Sequence, residues 1–74
     1  MQFKYDYSLL IGTILRKFKT YEAFANELGI TYQTLYRKLN NKFSFTQEEI
    51  EKSCVSLGID RSNMMQYFFV LEVA

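Results

Sequence analysis

The 74-residue chain has no proline, no histidine, one cysteine and three glycines. Each scarcity closes off a class of answer. Without proline and with so few glycines, a turn-rich β fold is disfavoured and a helical domain favoured. A lone cysteine, Cys54, excludes an intramolecular disulfide. With no secretory signature at the N-terminus, a reducing cytoplasm is the expected setting. The lack of histidine and of a second cysteine removes the usual zinc ligand sets and any Cys–His nucleophile pair. No glycine-rich phosphate loop and no Ser-His-Asp set is present. An enzyme is therefore not expected, nor a catalytic residue, a metal, a cofactor or a small-molecule ligand. The apolar runs are too short to cross a bilayer, so no membrane partner is expected.

What is present is apolar mass. Hydrophobic residues make up 49% of the chain and aromatics 18%, enough to argue against disorder and for one small folded domain over residues 1–74. The net charge of +1 hides a polarity. Residues 1–45 hold seven basic and three acidic side chains, net +4, whereas residues 46–74 hold two basic and five acidic, net −3. Glu48, Glu49 and Glu51 read as a solvated helix face.

The spacing predicts an all-α bundle of four to five short helices. The first runs from about Tyr7 to Phe18, with Ile11, Ile14, Leu15 and Phe18 as its apolar stripe and Asp6 or Ser8 at its start. The second spans Tyr21 to Leu28 behind the N-cap Thr20 and stops at Gly29. The third spans Tyr32 to Leu39 behind Thr31, buries Leu35 and Leu39, and ends at Asn40-Asn41. In the stretch 42–45, one of Phe43 and Phe45 faces the core and the other the surface. Thr46 with Glu49 forms a capping box, opening a fourth helix to about Leu57 that turns Ile50, Cys54 and Leu57 inward and stops at Gly58. Asp60 caps a short fifth helix containing Met64, Tyr67 and Phe68. The tail 68–74 is too apolar to be a mobile terminus.

Residues 20–39 carry the functional signal. Two short helices joined at Gly29, with the small Ala25 at their crossing and Phe24, Leu28, Ile30 and Leu35 closing the corner, form a helix-turn-helix, a motif whose second helix enters the DNA major groove. Tyr32, Gln33, Tyr36 and Arg37 remain outward on that helix. The segment Phe24-Ala25, Leu28-Gly29-Ile30-Thr31, Thr34-Leu35 and Leu39-Asn40-Asn41-Lys42 resembles the helix-turn-helix of the phage lambda-type repressor and Cro family. The stretch Lys42 to Ile50 followed by Leu57-Gly58-Ile59 resembles small Cro-like or repressor-like proteins of temperate phages of Gram-positive bacteria. Where members often have Asn-Gly-Lys, this chain has Asn40-Asn41-Lys42.

The resemblance implies a lambda repressor-like fold in the cytoplasm of a bacterial host. It implies base contacts from Tyr32, Gln33 and Arg37, of which Arg can pair with guanine and Gln with adenine. It also implies phosphate contacts from Thr20, Tyr21, Thr31, Asn40 and Lys42, with Tyr36 and Lys38 as further candidates. Thr20 and Thr31 stand at helix N-termini, which attract phosphate.

Two functions follow as expectations. The first is a sequence-specific regulator of a phage lysis/lysogeny switch. It binds a palindromic double-stranded operator as a homodimer, with Phe69, Val70, Leu71 and Val73 as the dimer surface. The alternative is an antirepressor that binds a partner repressor protein and blocks its DNA-reading surface. Low net charge, a tyrosine-rich third helix and an acidic second half speak for it, since exposed tyrosines suit protein contacts.

Overall fold

The computed structural model describes residues 3–72. Five helices follow one another: α1 (Ser8–Phe18), α2 (Tyr21–Leu28), α3 (Tyr32–Leu39), α4 (Gln47–Leu57) and, after a 3-10 turn at Arg61–Asn63, α5 (Met64–Phe68). Among the described residues the only extended pairing is one antiparallel bridge, between Tyr5 and Leu71. No described helix is long and apolar enough to cross a membrane.

Local chemistry sets most helix boundaries. The hydroxyls of Thr20, Thr31 and Thr46 accept the backbone N–H groups of Ala23, Thr34 and Glu49, three orphan donors at the starts of α2, α3 and α4. At α4 the box is reciprocal, because Glu49 Oε1 also accepts the Thr46 N–H at 2.9 Å. Gly29 and Gly58 end α2 and α4 in the left-handed conformation, with φ of 77° and 68°, where a side chain would be strained. After Gly29, the Ile30 N–H returns to the Ala25 carbonyl, closing the turn between α2 and α3.

The core gathers Leu10 and Ile14 of α1, Phe24, Ala25 and Leu28 of α2, Leu35 and Leu39 of α3, Ile50, Cys54 and Leu57 of α4, then Ile59 and Phe68. Burial pushes the Cys54 thiol above its ordinary pKa, as expected for a small core residue. The apolar stripe of α1 is rotated from the one its spacing predicts. Leu10, Thr13 and Ile14 are buried, whereas Leu15 is 39% exposed and Ile11 only half-buried. Tyr7, immediately before the helix, is a core residue and continues the Leu10–Ile14 line. Thr13 joins it because its hydroxyl donates to the Leu9 carbonyl at 2.8 Å, leaving no unpaired polar group.

Two polar devices hold the periphery. Lys38 of α3 is only 6% exposed. Its ammonium donates to the Ser44 carbonyl at 2.8 Å, pairs with Glu49 Oε1 of α4 at 2.9 Å and lies 5.9 Å from the centre of the Phe45 ring. Asn41, with a φ of 64°, holds Tyr5 from the side. Its Oδ1 accepts the Tyr5 N–H at 2.8 Å and its Nδ2 donates to the Tyr5 carbonyl at 3.0 Å. The opposite edge of the Tyr5 segment is tied to the tail by Asp6 N–H to Val70 and Glu72 N–H to Lys4.

These devices yield two predictions. Burial alone would raise the Glu49 carboxyl pKa, but the Thr46 N–H and the Lys38 ammonium outweigh it and the net shift is downward. A carboxylate with a depressed folded pKa contributes stability that is present above its unfolded value and lost as pH falls through the folded one. Thermal melts from about pH 6 to about pH 2 should therefore fall on the acid side. Glu49→Gln should cost about 1–2 kcal/mol at neutral pH and flatten that fall, since it leaves the buried Lys38 less well compensated. An unchanged acid limb would show that the pair does not contribute. For Asn41, replacement by Ala should cost roughly 2–3 kcal/mol in urea melts, through two lost hydrogen bonds and a strained φ. Asn41→Gly, which removes the clamp without the strain, should cost less, and equal losses would refute a contribution from backbone strain.

A tyrosine face on the helix pair

The crossing of α2 and α3 determines which side chains share a surface. Ala25, buried and small, lets the two backbones approach, while Phe24, Leu28 and Leu35 fill the corner. Leu35, Lys38 and Leu39 then point inward on α3, and Tyr32, Gln33, Tyr36 and Arg37 point out. Tyr32 and Tyr36 lie one turn apart with ring centres 6.1 Å from each other. Tyr21, in the first turn of α2, stacks on Tyr32 at 6.3 Å with the planes 27° apart. Three phenol rings thus form one strip across both helices. Tyr32 is 45% and Tyr36 51% exposed, with Gln33 and Arg37 beside them on the open side of α3. Among the described residues no acid pairs with Arg37.

The candidate base readers Tyr32, Gln33 and Arg37 are therefore together on an exposed face. The candidate phosphate contacts are dispersed in role. Lys38 is a correction: it is buried and held by Glu49 and Ser44, so its ammonium does not reach the surface to meet a phosphate. Its two internal partners, one of them on α4, draw it inward. The hydroxyls of Thr20 and Thr31 cap their own helices. Asn40 donates its side-chain amide to the Tyr36 carbonyl at 2.8 Å. Tyr21 and Tyr36 belong to the ring strip, and Lys42 is exposed beyond the end of α3.

In the tail, Phe69, Val70 and Leu71 are exposed at their side chains, but the backbone of Val70 to Glu72 is bonded to Lys4 and Asp6. Val73 lies outside the described residues. The element that sequence reading missed is the continuity of the strip. Tyr32 and Tyr36 at i, i+4 gave half of the signal, whereas the stacking of Tyr21 depends on the crossing geometry.

An aromatic strip with a guanidinium and an amide at its side is suited to binding a protein surface. Tyrosine and arginine are the side chains most enriched at binding hot spots, since they bury large area and keep a polar tip.

Comparison with known proteins corrects the family assignment. The family described as "Protein of unknown function (DUF739)" matches residues 3–70. No curated protein matches the chain. Among solved structures, the solution structure of the modulator of repression (MOR) of the temperate bacteriophage TP901-1 from Lactococcus lactis superposes with a TM-score of 0.76. It is 37% identical, and the match covers 88% of each chain. The assignment to the lambda-type repressor and Cro family is overturned by these matches. The residues behind it, Ala25, Gly29, Ile30 and Leu35, are those that any such helix crossing requires, so they report the fold and not the family. The all-helical architecture is shared with the phage modulator, and the chain belongs to the DUF739 family.

Proposed function

We propose that the chain is an antirepressor of a temperate-phage lysis/lysogeny switch, binding a partner repressor protein and blocking its DNA binding. The observation that carries this reading is the 37% identity, over 88% of both chains, to a protein named for modulating repression. The exposed face supports it. A DNA reader draws much of its affinity from neutralised phosphates. Here one of the candidate phosphate cations, Lys38, is sequestered, and the three acids at the start and middle of α4 are each paired internally, Glu48 with Lys52, Glu49 with Lys38 and Glu51 with Arg61. What the helix pair presents is the strip Tyr21, Tyr32 and Tyr36, flanked by Gln33 and Arg37. Its rings lose little rotamer freedom on binding and exclude water over a broad area. The partner surface that would be blocked is the one with which a repressor reads DNA.

The test is calorimetric titration against the repressor of the same phage switch, with a gel shift of that repressor on its operator. A complex should form and release the operator. Tyr32→Ala with Tyr36→Ala should weaken it on the order of 100-fold while the helical circular dichroism stays unchanged. Salt-sensitive binding of this chain to the operator, with no repressor complex, would sink the proposal.

A further inference from the structure

A second aromatic surface lies at the other end of α3. In an antiparallel bridge the paired residues share a face, and so do residues two apart on each strand. Tyr5 and Leu71 therefore share one side of the pairing, and the Phe69 ring meets Tyr5 edge to face with ring centres 6.0 Å apart. Phe3, Tyr5 and Phe69 form one wall of an open groove of about 330 Å³ whose opposite wall is the stretch Lys42 to Phe45. The groove's floor is continuous with the core through edge-to-face contacts of Tyr7 with Phe45 and of Phe45 with Phe68. Among the described residues its rim is open: Phe3 is 64% and Phe43 52% exposed.

Three observations identify the occupant. The volume accommodates one or two large side chains and is too small for a helix. The far wall, 42–45, bends at Lys42 and Phe43 and belongs to no helix, and among the described residues no hydrogen bond engages the N–H of Phe43, Ser44 or Phe45, so these donors are left for an extended chain lying alongside. The only exposed charge lining the groove is Lys42, which has no acidic partner among the described residues. We infer that this groove docks an extended peptide segment that places a large apolar side chain between Phe43 and Phe69 and a carboxylate on Lys42. The surface is separate from the tyrosine strip and does not rest on the repressor-binding reading.

The probe is a labelled heptapeptide, Gly-Asp-Phe-Glu-Leu-Asp-Gly, compared with its charge-reversed twin, Gly-Lys-Phe-Lys-Leu-Lys-Gly. The readouts are amide chemical-shift mapping and fluorescence anisotropy on the full chain. The acidic peptide should move the amides of Tyr5, Phe43, Phe45 and Phe69 saturably and bind at least ~10-fold more tightly than its twin. Lys42→Glu should reverse that preference, and Phe43→Ala, at an exposed ring, should weaken binding with the fold intact. Tyr32→Ala with Tyr36→Ala should leave it unchanged. Equal affinity for both peptides, shifts confined to the tyrosine strip, or no shift at all would overturn the inference. Concentration-dependent shifts of the groove amides without peptide would overturn it too, by making a second copy of the chain the occupant.

Discussion

One ammonium group determines how α3 is presented. Lys38 sits on the inner side of that helix, and its Nζ reaches both the Ser44 carbonyl and Glu49 at the head of α4. Turning α3 about its axis to free Lys38 would break both contacts and leave the largely buried Glu49 carboxylate without its cation, which is more costly than losing a surface pair. With that rotation fixed, the positions on the opposite side of the helix, 32, 33, 36 and 37, have only one direction to face. The same contact holds the chain between Leu39 and Gln47 against the body of the domain and seats the Phe45 ring beneath the ammonium. The tyrosine strip and the aromatic groove thus share one anchor at their base.

That anchor also alters what the charge pattern means. Read along the chain, the first 45 residues carry a positive excess and the rest a negative one. In three dimensions the acidic helix is matched locally: Glu49 takes a lysine from the basic half, and Glu48 and Glu51 take cations from their own half. Of the exposed cations without an acidic partner among the described residues, Arg16, Lys17 and Lys19 lie at the end of α1 and Lys42 just beyond α3. A net excess in sequence therefore overstates the field offered to a polyanion, because pairing removes part of it before any partner arrives. The helix-turn-helix geometry is intact, yet its outer surface is dominated by rings. Fold and surface chemistry are separate inheritances of the same segment.

The legible parts of the sequence were those decided within a turn or two of chain. Thr20, Thr31 and Thr46 before helices and Gly29 and Gly58 after them act through neighbours three or four residues away, and each boundary follows from its own residues. What depends on distant partners was not legible. The inward stripe of α1 is selected by Tyr7 and by the packing of Leu10, so Leu15, apolar and correctly spaced, is left outside. A lysine in the last turn of α3 reads as a surface cation until Ser44 and Glu49, beyond the end of that helix, are placed beside it. Tyr21 and Tyr32 are eleven positions apart, and only the crossing of α2 on α3 makes them a stack. The family was misread for a related reason. The residues that make a helix-turn-helix recognisable are buried or at the turn, whereas those that separate a DNA reader from a protein binder are outside it.

The connection between the two aromatic surfaces runs through the end of α3. Asn40 returns its side chain to the Tyr36 carbonyl, beneath the strip. Its neighbour Asn41 takes a left-handed turn and clamps both main-chain groups of Tyr5, at the wall of the groove. Two adjacent amides therefore fasten the two sites to one helix terminus. A left-handed asparagine costs conformational free energy that a glycine would avoid, but a glycine could not hold Tyr5. The bridge from Tyr5 to Leu71 then ties the tail to the same point. The domain is small, and its edges would fray without such ties. Asparagine at position 41 exchanges backbone ease for this attachment.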